Sequence, residues 1–220
     1  MKKTALILGA TGLTGSLLLE KLIEDTRYEK IIVISRSKID NLPSKVVQHI
    51  GDLLDLSQFS AFFKADELFC CIGTTKNKTT DPAIYKKIDA GIPEAAAKLC
   101  KQHNIPTFIV ISALGAAKNS RIFYNRIKGE METAVLAQQI EHTYILRPSL
   151  IVGHRKETRI GETIWKNILL FCQALLQGRL KKYRMIYADT IAKAMIVLAN
   201  STAQNTPIIA SNTIKILAKK

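Results

Sequence analysis

The hydrophobic pattern switches repeatedly between two periods. Short apolar runs, Ala5–Leu8, Ile31–Ile34, Val46–Ile50, Leu68–Ile72, Phe108–Ile111 and Thr143–Leu146, have the length of buried strands. Between them, Leu13–Ile23, Ile84–Leu99 and Ile122–Ala137 carry apolar residues at helical spacing. Strands alternating with helices predict an α/β fold, a doubly wound parallel sheet with crossover helices on both faces. Links such as Asn104-Ile105-Pro106 have the few-residue length that such units use. After Pro148 the rhythm loosens. Residues 149–187 read as a helix from Gly161 to Leu176 and a basic turn through Arg179, Lys181, Lys182 and Arg184, with little strand signal. Asp189 is then expected to cap a helix running through Ala199. One domain is expected over 1–220, with 149–187 supplying most of a small C-terminal lobe at the carboxyl ends of the strands.

Composition narrows the class. With 47% hydrophobic and 23% charged residues in 220, the chain is far too apolar for a disordered polycation. The net charge of +14 is uneven, since 101–220 hold 18 basic and 6 acidic residues against 14 and 12 in 1–100. Such a surplus favours nucleic acid, an anionic surface or a phosphorylated ligand. Nucleic acid is set aside: there is no Cys/His finger spacing, no basic run longer than two and only 6% aromatics. No membrane span is expected, because Ile164–Leu176 is shorter than the roughly 20 residues a bilayer requires.

The charged start and apolar run of Met1–Leu8 read as a buried first strand rather than a secretory signal, because Gly9, Gly12 and Gly15 punctuate the run. Cys70, Cys71, Cys100 and Cys172 show neither a disulfide framework nor a metal-ligand spacing, so a reducing cytoplasm is the expected home. His49, His103, His142 and His154 contain no i, i+4 pair, and no metal is expected.

Chemistry enters at Gly9-Ala10-Thr11-Gly12-Leu13-Thr14-Gly15, three glycines spaced G-x-x-G-x-x-G between a strand and a helix. A tight turn, close backbone approach and a helix N-terminus together suit a pyrophosphate. The second strand ends Ser35-Arg36-Ser37-Lys38, where an acidic residue would grip the ribose 2′-hydroxyl of NAD. Arg36 and Ser37 instead offer donors for a 2′-phosphate, which favours NADP; solvated loop charges are the alternative. Asp52 and Leu53 after the third strand, and Gly73, Thr74 and Thr75 after the fourth, would lie along the same nucleotide crevice, although Asp52 equally suits an ordinary turn.

Tyr124 and Lys128 stand four apart in a helical segment and project from one face. Ser112 ends the fifth strand twelve residues before Tyr124, where a strand end abuts the crevice. An adjacent ammonium favours a phenolate, so Tyr124 can act as acid or base while Ser112 bonds the substrate oxygen. Taken alone, a Tyr-x-x-x-Lys pair is also an ordinary exposed helix face.

The glycine motif, Cys70-Cys71-Ile72-Gly73-Thr74-Thr75, Ser112-Ala113-Leu114-Gly115-Ala116, Tyr124-Asn125-Arg126-Ile127-Lys128-Gly129-Glu130 and Leu146-Arg147-Pro148-Ser149 together resemble the short-chain dehydrogenase/reductase superfamily. Within it they resemble the atypical NAD(P)-binding group that includes the Tat-interacting-protein oxidoreductases and proteins labelled nucleoside-diphosphate-sugar epimerases. The resemblance implies a Rossmann core with a small substrate lobe, NADPH as cofactor and Ser112, Tyr124 and Lys128 as the catalytic set. It also places Pro148, Ser149, Leu150 and Ile151 beside the nicotinamide. Ala113 stands for a second serine often seen there, and Asp89 for an Asn that supports a proton relay in many relatives. The expected activity is reduction of a small carbonyl substrate, anionic if the basic set of 151–184 faces it. The alternative is a dinucleotide-binding regulator without turnover. Oligomeric state is not legible.

Overall fold

The computed structural model describes residues 2–75, 77–153, 183–201 and 206–219. Its strands are β1 (Lys3–Leu8), β2 (Tyr28–Ser35), β3 (Val46–Ile50), β4 (Glu67–Cys70), β5 (Thr107–Ile111), β6 (His142–Arg147), β7 (Ile151–Val152), β8 (Ile186–Tyr187) and β9 (Ile208–Ala210). Its helices are α1 (Leu13–Glu24), α2 (Pro82–Lys86), α3 (Ile92–Gln102), α4 (Phe123–Leu136), α5 (Ala188–Ala199) and α6 (Ser211–Leu217), with a 3-10 segment at Leu56–Phe62.

Among the described residues seven strands form one parallel sheet in the order β3-β2-β1-β4-β5-β6-β9, and β7 and β8 form a separate parallel pair. The chain winds outward from β1 to β3 on one side and from β4 to β9 on the other. The direction therefore reverses beside β1, and a crevice opens at the carboxyl ends of β1 and β4. Strands covered on both faces are apolar at every position. In β1, Ala5 and Ile7 pack with Leu18 and Leu22 of α1 and with Ile191 and Met195 of α5, while Leu6 and Leu8 pack with Phe59, Phe63, Ala96 and Met131 on the opposite face. Each such fully buried Leu, Ile or Phe contributes about 1.5–3 kcal/mol.

Three expectations are corrected. The helix expected over Ile84–Leu99 is broken by a π turn at Lys87–Gly91, across which the Ile92 N–H donates to the Lys87 carbonyl. Pro93 explains the break: it has no N–H for the Asp89 carbonyl, and its ring crowds that carbonyl, so the helix widens there by one residue. Asp189 does not cap α5. Tyr187 is the N-cap residue, and Asp189 lies in the first turn, joined to Lys21 of α1 at 2.6 Å and to Lys193 at 3.0 Å. Residues 149–187 also contain β7 and β8, both too short for a periodicity signal, and β9 and α6 complete the sheet edge unanticipated. The expected helix Gly161–Leu176, the turn residues Arg179, Lys181 and Lys182, and His154, Arg155 and Arg159 lie outside the described residues.

Candidate active site

The glycine turn is built by close approach. Gly9 has φ 85°, and a Cβ there would stand 2.8 Å from the Cys71 carbonyl carbon. A Cβ on Gly15 would stand 2.1 Å from the Gly9 oxygen, so only glycine lets α1 begin this near β1. Gly12 is the N-cap of α1 and supplies no side-chain acceptor. The amides of Leu13, Thr14 and Gly15, the first of the helix, are left for an external anion. Thr11 is exposed at the turn and Thr14 is buried beneath it. The cradle that a Cβ would fill, together with these amides, fits a dinucleotide pyrophosphate.

Past β2, Ser35 is buried while Arg36 and Ser37 are exposed. Arg36 has no ion pair among the described residues, whereas the neighbouring Lys38 pairs with Asp40 at 3.3 Å. Sequence reasoning missed what shapes this loop. Gln48 of β3 donates to the Ser35 hydroxyl at 2.6 Å and to the Ser37 carbonyl at 2.9 Å, and its own carbonyl accepts the Ile39 N–H at 3.0 Å. A polar side chain within the apolar run Val46–Ile50 was the available signal. Asp52 accepts the Leu54 N–H at 2.9 Å in an Asx turn, leaving Leu53 buried and the strand end fixed. Gly73 and Thr75 are exposed past β4.

The proposed catalytic residues divide. Tyr124 lies in the first turn of α4 and is 40% exposed. Partial desolvation holds that phenol above the ordinary value; Lys128 opposes the shift and Asp89 adds to it. Lys128, one turn on, is buried: its Nζ lies 3.0 Å from Asp89 Oδ1 and donates to the Ile111 carbonyl at 3.4 Å. Asp89 Oδ2 accepts the Thr74 N–H at 2.7 Å, and Tyr85 donates from its hydroxyl to the Thr74 carbonyl at 3.3 Å. Ser112 points elsewhere. Its hydroxyl donates at 2.5 Å to Glu132 of α4, a carboxylate that Arg147 of β6 grips with both Nε and Nη2. Glu132 follows Lys128 by four residues on the same inward face, and this spacing was the overlooked signal.

Backbone contacts bring the surrounding loops together. The Ser112 N–H donates to the Leu146 carbonyl and the Leu114 N–H to the Pro148 carbonyl, at 2.7 and 2.8 Å, so the segments after β5 and β6 run side by side. Ser149 is buried, donating to the Arg184 carbonyl and accepting from Ser211, while Leu150 is exposed and Ile151 opens β7. Gly129 lets α4 touch the loop above it, since a Cβ there would meet the Ala117 carbonyl carbon at 2.3 Å.

Residues 5–210 match the NAD dependent epimerase/dehydratase family. The protein FMP52, mitochondrial, of Eremothecium gossypii is 30% identical over 200 residues, covering 90% of this chain and 88% of that protein. The protein HTATIP2 of Rattus norvegicus is 30% identical over 164 residues, 73% of this chain and 67% of its own length. Among solved structures, the Bordetella bronchiseptica enzyme WbmG in complex with NAD superposes with a TM-score of 0.70 at 16% identity, covering 95% of this chain and 72% of that one. These names overturn the expected cytoplasmic home, because the FMP52 relatives are called mitochondrial. Cys70 and Cys100 are sheltered in the core, with thiols pushed up by burial to about 11 and about 12, and sheltered thiols are inert whatever the compartment.

Proposed function

The chain belongs to the NAD dependent epimerase/dehydratase family, and from that premise we propose that it is an NADPH-dependent reductase of a small carbonyl substrate. The observation that carries this reading is a partly exposed Tyr124 one helical turn from the buried Lys128 ammonium, whose Nζ reaches the Ile111 carbonyl at the carboxyl end of β5. When bound, the cofactor supplies the hydride. The amides of Leu13, Thr14 and Gly15 hold its pyrophosphate, and Arg36 with Ser37 takes the 2′-phosphate. Tyr124 donates its proton to the carbonyl oxygen as negative charge develops there, and Lys128 stabilises the resulting phenolate. Ser112 orients that oxygen once its hydroxyl exchanges Glu132 for substrate.

A second reading is supported by the same geometry. With the Ser112 hydroxyl donating to Glu132 and the Lys128 ammonium paired with Asp89, the site is held in a resting arrangement, as a nucleotide-binding regulator without turnover would be. Titration with NADPH, followed by its fluorescence, and turnover on a panel of aldehydes and ketones separate the two. The enzyme reading expects saturable binding, oxidation of NADPH, and a Tyr124→Phe variant that binds normally but is about 10²–10⁴-fold slower. Binding without oxidation across the panel would instead favour the regulator.

A further inference from the structure

Asp89 is the buried charge that carbonyl reduction by Tyr124 and Lys128 leaves without a task. Pro93 opens the helix at Lys87–Gly91, and the resulting π turn directs Asp89 inward until it is 1% exposed. One carboxylate oxygen is spoken for by the Thr74 N–H at 2.7 Å. The other, Oδ1, lies 3.0 Å from the Lys128 ammonium, itself 3% exposed, and makes no hydrogen bond. A buried ammonium next to a phenol would by itself favour phenolate. Here a carboxylate sits against that ammonium, so the phenol faces a pair whose net charge is zero.

The other groups around Tyr124 do not restore the imbalance. Tyr85, from α2, is itself held protonated by burial. On α4, Glu130 pairs with Lys86 at 2.8 Å, and Arg126 lies over the Phe123 ring and donates to the Ser120 carbonyl at 3.1 Å. The Lys128–Asp89 pair is thus the charged feature that the phenol meets.

We propose that Asp89 is a positioning residue that holds Lys128 as half of a neutral buried pair, so that Tyr124 meets substrate as a proton donor and the site runs in the direction of carbonyl reduction. The assignment rests on the reading of Tyr124 as the catalytic acid. In that direction the carbonyl carbon gains the hydride and its electron pair as NADPH is oxidised to NADP⁺. The Tyr124 O–H bond breaks as the product O–H bond forms, and the phenolate recovers a proton from solvent. Oxidation of the alcohol needs the phenolate first, which desolvation of the phenol withholds until alkaline pH while Asp89 offsets the pull of Lys128. Through Thr74 the same carboxylate also ties the loop after β4 to the lysine that serves the phenol.

The test is the phenolate absorbance of the full chain as a function of pH, with the Tyr124→Phe chain as the reference that isolates this one tyrosine. In Asp89→Asn the Tyr124 phenolate should appear at a pH lower by about 1 unit or more. The alkaline fall of reductase kcat should move down with it. Asp89→Asn/Lys128→Met removes both charges and leaves no orphaned ion, so it folds even if the single variant does not. Its Tyr124 should titrate close to the parent. An unshifted phenolate in Asp89→Asn overturns the proposal, as does a double variant displaced by as much as the single one is expected to be. The two readings fail separately. No turnover on the carbonyl panel removes the reductase and leaves the titration standing, whereas an active reductase with an unshifted titration removes only the role of Asp89.

Discussion

Glu67 and Asp89 are both 1% exposed and both face a lysine, yet they lie at opposite ends of one sheet and are treated differently. At the amino end Glu67 Oε1 accepts from Lys3 and Oε2 from the Tyr28 hydroxyl, each at 2.5 Å. Asn200 donates to that hydroxyl at 2.8 Å, and Lys3 also reaches the Ala199 carbonyl at 3.1 Å. The network is closed, and it ties the start of β1 to β2, β4 and the end of α5. At the carboxyl end Asp89 Oδ1 has only the lysine contact, and Arg36 has no ion pair among the described residues. Satisfied buried polar groups fix a structure, while unfinished ones mark where a ligand or a proton completes the set. The contrast therefore separates the end that holds the chain together from the end where we propose that the chemistry occurs.

The hardest blow to this contrast is aimed at the closed end. Glu67→Ala leaves the Lys3 ammonium and the Tyr28 hydroxyl without their acceptor, and the fold should lose about 3 kcal/mol, the low end for a broken buried pair because Lys3 is partly exposed. Urea unfolding measures the loss, and NADPH affinity at low denaturant should stay within twofold of the parent. A variant that kept its stability and lost the nucleotide would erase the distinction between the two ends.

The sequence revealed the working end better than the closed one, and the reason is range. The glycine turn is encoded within seven consecutive residues, and the Tyr124–Lys128 pair within one helical turn, so local spacing points to them once the strand end at Ser112 supplies the context. The inner strands, such as β1, β4 and β5, were legible because burial on both faces makes their runs apolar, whereas the edge strand β3 showed through Val46, Val47 and Ile50 despite its polar Gln48 and His49. Lys3, Tyr28, Glu67 and Asn200 are scattered over nearly 200 positions, and only the sheet order brings them together. The π turn was missed for a different reason. Pro93 was visible, but whether a helix kinks, stops or widens at a proline depends on what packs beside it. β9, with three residues, is too short to show a period at all.

A smaller effect probes the open end. Replacing Arg36 by Asp should lower the NADPH/NADH affinity ratio about 10–100-fold, the worth of one or two charge-assisted bonds to a phosphate. Fluorescence titration with both nucleotides reads it, and an unchanged ratio would mean that Arg36 is a solvated charge. Gln48→Leu tests whether the loop must be braced. It keeps Arg36 but removes the three hydrogen bonds that shape residues 35–39, and the same ratio should fall about 3–10-fold with little change in NADH affinity. Equal weakening for both nucleotides would make Gln48 a structural residue of the sheet edge.

The smallest effect returns to Glu67 and asks whether its closed network is fully compensated. Burial raises its carboxyl above the ordinary 4.5, against the opposing pull of Lys3 and Tyr28. The folded chain therefore holds this proton at a pH where the unfolded chain has released it. The stability that the proton confers is complete below the ordinary value and is lost as pH rises through the folded one. Glu67→Gln cannot ionise and preserves the side-chain shape, so the unfolding free energy of this variant should decline less than that of the parent between about pH 4.5 and neutrality. Urea unfolding at a series of pH values gives both slopes. Parallel slopes would mean that Lys3 and Tyr28 repay the desolvation of the carboxylate in full. The network at the amino end would then be closed in charge as well as in hydrogen bonds, and the contrast with Asp89 would be sharper still.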